Sequence, residues 1–139
     1  MDNQIQNKIK GSCLCGEVAF EVDNHFKLFH LCHCHQCQKI SGSAHVSNLF
    51  VKKESISWLS GLESIQRFDV PNRQIANAFC KNCGSSVPYI SGSGKALIVP
   101  AGSLDGEPNI GPQNHIYMED SREWHKNIAT VDCFDRYTD

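Results

Sequence analysis

The amino-acid sequence predicts a small all-β fold with little helix. Three observations carry that expectation. Apolar and polar residues alternate over short stretches, as Val18, Phe20 and Val22 do. Turn signals rich in glycine, proline, serine and asparagine separate these stretches. No long segment repeats with the 3.6-residue period of an amphipathic helix. Short strands with regular punctuation and no helical runs give an all-β architecture.

Taken in order, Met1 to Lys10 reads as a loose polar lead-in. Gly11-Ser12-Cys13-Leu14-Cys15-Gly16 follows, a Cys-x-Cys pair whose flanking glycines permit tight backbone turns. Glu17 to Val22 reads as a half-buried strand, and Asp23 to Lys27 as a polar connection. Leu31 to Cys37 carries a Cys-x-Cys-x-x-Cys trio. Strand residues two apart share a face, so Cys32 and Cys34 aim at one point, and a tight turn brings Cys37 to it.

Ser41-Gly42-Ser43 marks a turn, and Ala44 to Val51 reads as a strand. Ile56 to Leu59 is a short strand ended by Ser60-Gly61. Glu63 to Asp69 and Gln74 to Phe79 read as two strands joined around Pro71-Asn72. Phe79-Cys80-Lys81-Asn82-Cys83-Gly84 has the form of a zinc knuckle, with a glycine that accepts a left-handed backbone after the second sulfur. Val87 to Ile90 and Ala96 to Pro100 follow as strands, the second apolar enough to be central. The Ser91-Gly92-Ser93-Gly94-Lys95 link lacks phosphate-loop spacing and reads as a hairpin loop. Gly102 to Pro112 is irregular, His115 to Met118 a last strand, and Ser121 the cap of a helical turn bearing Glu123 and Trp124.

A chain of 139 residues fits one domain, 1–139. Thirteen basic and fifteen acidic residues give a net charge of −2, so no basic excess argues for nucleic acid. Apolar runs are only a few residues long, too short for a membrane span. The polar start has no signal-peptide stretch, and no Asn-x-Ser/Thr sequon occurs. The expectation is a cytoplasmic protein, whose reducing surroundings favour metal binding by clustered cysteines over a disulfide scaffold.

Setting aside Cys133, which between apolar neighbours reads as a small buried hydrophobe, seven of the eight cysteines remain. They divide naturally into four and three. Cys13, Cys15, Cys80 and Cys83 would close a structural zinc and staple the first strand to the middle of the chain. Cys32, Cys34 and Cys37 would hold a second zinc with one position open, the pattern of a reactive site. Spacing alone leaves other divisions possible, such as Cys13 and Cys15 with two of the trio. It also leaves a second structural zinc closed by His30, His33, His35 or His45. Glu17 and Asp105 are candidate general bases that nothing separates from solvated carboxylates.

Three thiolates leave a zinc site near a formal charge of −1, so its bound water is less acidic than on a three-histidine zinc. A soft ligand such as a thiol suits it better. A thiol bound there would lose its proton, and the thiolate is the form that adds to a carbonyl. The trio therefore points to making or breaking carbon–sulfur bonds. A zinc deaminase is set aside, because Phe79 stands where that signature places proline before Cys-x-x-Cys.

The stretches Gly11 to Val18, Cys32 to Cys37 with Ser41-Gly42-Ser43, and Phe79 to Gly84 resemble the glutathione-dependent formaldehyde-activating enzyme family, which includes the centromere protein V relatives. His115-Ile116-Tyr117 and Trp124 resemble its C-terminal motif, so the resemblance covers roughly Lys10 to Trp124. It implies a two-sheet antiparallel β-sandwich of the zinc-bearing β-tent type. It implies a structural zinc on Cys13, Cys15, Cys80 and Cys83, and a labile zinc on Cys32, Cys34 and Cys37. The implied reaction joins glutathione and formaldehyde to S-(hydroxymethyl)glutathione or reverses that, a carbon–sulfur lyase activity. Arg67, Arg73 and Lys39 are candidates to hold the glutathione carboxylates. A non-catalytic zinc module that binds a protein partner is the alternative. A methionine sulfoxide reductase-like enzyme is a distant third, since only Cys133 is spare for redox work.

Overall fold

The computed structural model describes residues 7–138; the greater part of the expected lead-in, residues 1–6, lies outside them. Ten strands and one short helix form in chain order: β1 (Lys8–Ser12), β2 (Ala19–Asp23), β3 (Leu28–Cys32), α1 (His35–Ser41), β4 (Val46–Lys52), β5 (Ile56–Ser60), β6 (Ile65–Asp69), β7 (Ala76–Cys80), β8 (Tyr89–Ile90), β9 (Ala96–Pro100) and β10 (Asn114–Ile116). Short 3₁₀ turns fill several connections. The all-β expectation holds.

The strands build a three-stranded sheet (β1-β2-β5), a five-stranded sheet (β10-β3-β4-β9-β8) and a two-stranded ribbon (β6-β7). Pairing is antiparallel except that β10 lies parallel to β3. The five-stranded sheet is buried on both faces. Phe29, Leu49, Val51, Leu97 and Val99 point to one side, against Phe20 and Val22 of β2. Phe20 meets Trp58 edge-on at 5.9 Å. On the opposite side Ile98 and Tyr89 pack on Ala76 and Ala78 of β7. Truncating a side chain as enclosed as Leu49, which is 0% exposed, costs about 2–5 kcal/mol.

Several expected bounds shift. Lys8 to Lys10 belong to β1 rather than to a loose lead-in, because Lys8 to Ser12 pair residue for residue with Asp23 to Ala19. Leu62–Ser64 forms a 3₁₀ turn, so the strand expected from Glu63 starts at Ile65. The last strand stops at Ile116, where Tyr117 turns left-handed (φ 58°). The helical turn is Glu123–His125; Arg122, not Ser121, precedes it, and no side chain caps it. Cys133 is exposed rather than buried, in a C-terminal stretch whose apolar side chains stay outside the core.

The glycine- and proline-rich segment after β9 is irregular yet tied down. Asn109 receives a hydrogen bond from the Phe26 amide (2.9 Å) and donates its own amide to Asn24 (2.8 Å). Gln113 and Phe29 then exchange two bonds of 2.9 and 3.0 Å. These contacts satisfy backbone groups that would otherwise be buried unpaired. They deliver β10 to the edge of β3.

Candidate metal centres

All eight cysteines are free thiols, and seven of them gather into two groups. The first is Cys13, Cys15, Cys80 and Cys83, with all sulfurs within 4.8 Å of one another. Cys13 and Cys15 sulfurs are 3.6 Å apart, and Cys15 and Cys80 sulfurs 3.9 Å. A tetrahedral zinc with Zn–S bonds of about 2.3 Å requires sulfurs about 3.8 Å apart. The donor set fits that ion.

Local structure explains the convergence. Cys13 follows β1, and its sulfur accepts the Val18 amide at 3.2 Å. Cys80 ends β7, and the next turn closes with a 2.7 Å bond from the Gly84 amide to the Cys80 carbonyl. Gly84 has φ 79°, the left-handed geometry anticipated for a knuckle. Asn82 donates to Cys15 at 3.2 Å. Cys83 lies against Ser85 at 3.3 Å, whose hydroxyl also receives the Leu14 amide. The Ser85 contacts hold the Cys83 thiol down to about 5.

The second group is Cys32, Cys34 and Cys37, all buried and again within 4.8 Å of one another. The strand-then-turn expectation is corrected here. Cys32 ends β3, but Cys34 is the N-cap of α1 and Cys37 lies in its first turn. Cys34 sulfur accepts the Cys37 amide at 3.3 Å, as a serine or aspartate cap would. A seven-residue helix is too short to show a period, so its signal was the cap alone. A hydrogen bond from Cys37 holds the Cys32 thiol down to about 6, and the same contact together with burial pushes Cys37 up. Metal binding to such a set releases the shared protons.

Among the described residues no histidine joins the trio. His30 bonds Asn114 at 2.6 Å, and His35 faces Asp120 at 3.9 Å. His33 and His45 face one another, ring centroids 4.9 Å apart, in a separate cluster. The trio thus offers three sulfurs, a set that fits zinc while leaving one position of its tetrahedron to an incoming ligand. The mixed division, with Cys13 and Cys15 joining the trio, is not what the fold assembles.

Around the trio stand residues that the sequence did not single out. Gln38, 7% exposed, donates to the carbonyls of His33 (2.7 Å) and Asp120 (2.9 Å) and accepts from Arg122 (2.7 Å). It fastens the C-terminal segment over α1. Of the three basic candidates, Arg73 reaches the trio: its guanidinium is 3.6 Å from Cys34 sulfur and 3.3 Å from Gln36. It also lies 4.9 Å over the Tyr117 ring, a cation–π contact. Arg67 is engaged by Asp69 at 2.8 Å, and Lys39 is exposed. A cavity of about 220 Å³ opens beside Cys37, lined by Ser47, Asn77 and Tyr89 among others. Glu17 and Asp105 are exposed and do not line it.

A sequence model of the glutathione-dependent formaldehyde-activating enzyme family matches residues 8–120. No curated protein matches significantly. Among solved structures, the crystal structure of a Rhodobacter sphaeroides protein from a structural genomics programme is similar, with a TM-score of 0.62 at 22% identity. The match covers 77% of this chain and 99% of that one. At that identity the likeness concerns the fold.

Proposed function

The chain belongs to the glutathione-dependent formaldehyde-activating enzyme family, and on that premise we propose that it is a carbon–sulfur lyase or synthase acting on a glutathione–aldehyde adduct. The observation that carries this reading is the convergence of three buried sulfurs, without a fourth protein ligand among the described residues, beside an open cavity. In the synthetic direction the glutathione sulfur bonds to the aldehyde carbon and the carbonyl π bond breaks. The thiol proton leaves and the carbonyl oxygen gains one, so no oxidant or reductant is needed. The reverse reaction undoes these changes.

Cys32, Cys34 and Cys37 are assigned to a labile zinc, and Cys13, Cys15, Cys80 and Cys83 to a structural one. Bound at the trio, zinc would supply the acidity that strips the proton from an incoming thiol. The chain's own groups supply position. Arg73 is placed to pair with a glutathione carboxylate, a charge-assisted contact worth about 1.5–3 kcal/mol. Tyr89 lines the cavity with Cys37, and burial pushes its phenol up to about 12. It keeps its proton at neutral pH and serves as a hydrogen-bond donor toward the oxygen that gains negative charge. The reading takes 1–139 as one domain working on small molecules in the cytoplasm.

The test is Cys34→Ser assayed for glutathione binding by calorimetry and for adduct formation from glutathione and formaldehyde. Loss of adduct formation with the fold retained supports the assignment. Retention of both binding and turnover refutes it and favours a non-catalytic zinc module.

A further inference from the structure

A third group of metal-binding side chains lies on the reverse side of the five-stranded sheet. Strand register explains it. Cys32 pairs with Val46 of β4 and with Ile116 of β10. These three pack together on one face, around the trio. Within β10, His115 precedes Ile116 and so points to the other face; His33, just after β3, and His45, just before β4, gather beside it. His125 joins them from the Glu123–His125 turn, which Gln38 and Arg122 hold in place. Ring centroids lie 4.6 Å apart for His33 and His125, 5.0 Å for His33 and His115, and 4.9 Å for His33 and His45.

We propose that His33, His115 and His125 form a binding site for a first-row divalent cation, zinc in the first instance, distinct from both cysteine groups. One nitrogen from each of the three rings lies within 4.8 Å of the others. Three nitrogens on a tetrahedral zinc, with Zn–N bonds of about 2.0–2.1 Å, stand about 3.3 Å apart. The 2.8 Å contact between His33 Nε2 and His115 Nδ1 holds these two rings together and leaves Nδ1 of His33 to face an ion.

A purely structural histidine cluster explains the site less well. His33 is 0% exposed. Its Nδ1, like that of His125, is buried without a hydrogen-bond partner. A neutral imidazole carries one N–H and one lone pair. With Nε2 of His33 shared with His115, its Nδ1 is left as an unpaired donor or an unpaired acceptor. Leaving a buried polar group unmade costs about 1–3 kcal/mol, and two such nitrogens face one cluster. A cation accepting their lone pairs removes that cost.

The donor chemistry sets the ion class. An all-imidazole set suits zinc, nickel, copper or iron rather than magnesium or calcium. His45 packs against His33, and its Nδ1 lies 3.3 Å from the Val46 carbonyl. His115 is exposed, so the site has a path from solvent. Three neutral ligands leave the full charge on the ion, making it a stronger Lewis acid than an ion on the thiolate trio.

The test adds Co²⁺ to full-length protein loaded with two equivalents of zinc, enough for the thiolate sites only, and follows both metal content and absorbance. Co²⁺ on thiolates gives an intense near-ultraviolet sulfur-to-metal band, whereas Co²⁺ on imidazoles gives only weak visible bands. The expected result is one equivalent bound without growth of the sulfur band. Loss of an outer-shell partner alone costs about 10–100-fold in metal affinity, so His115→Ala/His125→Ala is expected to weaken this equivalent by at least about 100-fold. Far-UV circular dichroism checks the fold, and His125→Gln alone serves if the double variant does not fold. No uptake beyond the thiolate sites overturns the proposal. So does uptake that survives the histidine substitutions.

Discussion

The Arg73 guanidinium lies 3.6 Å from the Cys34 sulfur and 4.9 Å over the Tyr117 ring. This one side chain joins the loop after β6, the cap of α1 and the end of β10. Tyr117 holds a left-handed backbone (φ 58°) to keep its ring there, a conformation that costs a bulky residue about 1–3 kcal/mol. Strain of that kind persists where surrounding contacts enforce it, and here it sits at the proposed thiol site.

Replacing Arg73 with methionine therefore reports on substrate positioning. The expected outcome is a rise of about 10–100-fold in KM for glutathione, the equivalent of one lost charge-assisted contact. Arg73→Lys restores the charge but not the planar fork and recovers only part of the loss. Steady-state kinetics of both variants, with zinc content measured alongside, check this.

Metal removal is expected to proceed in two steps. Three sulfurs release an ion more readily than four, although all three trio sulfurs are buried and Cys15 of the other group is exposed. Graded chelation should abolish adduct formation while circular dichroism is unchanged. A second, slower loss should then unfold the chain, because a structural zinc contributes folding energy. Cys80→Ser is expected to reproduce the second step alone. Timed metal analysis of chelated samples distinguishes the phases.

Gly61 is the glycine least able to accept a side chain. Its φ is 76°, and an added Cβ would lie 2.2 Å from the Glu17 carbonyl oxygen. Backbone cannot yield as a flexible side chain can. Gly61→Ala is expected to destabilise by more than about 1 kcal/mol, read as a lower urea midpoint. The neighbouring contact between Glu17 and Ser60 would be displaced with it.

The ion pair between Lys8 and Asp23, 2.7 Å long, fastens β1 to β2. Its hydrogen bond to Lys8 holds the Asp23 carboxyl below its ordinary 3.8. The same bond holds the Lys8 ammonium above its ordinary 10.5. A depressed carboxyl stabilises the fold above 3.8 and loses that contribution as pH falls through its lowered value. A raised ammonium stabilises below 10.5 and loses its contribution as pH rises through its raised value. Asp23→Asn should therefore differ from the wild type across the middle of the pH range and converge with it in acid. The exposed pair should also weaken with salt. Denaturant midpoints against pH at two ionic strengths check both.

Much of this molecule could be read from short stretches of chain. The strand Ala96–Pro100 was legible to the residue, because an unbroken apolar run between turn signals admits few other readings. Its interior place in the sheet followed from the same apolarity. Gly84 was legible because a knuckle needs a left-handed residue there. Helix α1 was not, since seven residues show no period and the Cys34 cap looks like any other cysteine. The parallel partnership of β10 with β3 was hidden too, because it depends on asparagine and glutamine contacts across more than eighty residues of sequence.

By itself the sequence determined which sulfurs are available and in what local spacing, since covalent neighbours cannot escape one another. Tertiary structure decided which distant groups meet. It closed four cysteines into one set, left three in another, and brought Arg73 rather than Arg67 or Lys39 to the trio. It also assembled four histidines that no spacing rule connects. The reason is register: which residues face each other across a sheet is a property of paired strands, and a single strand read alone does not contain it.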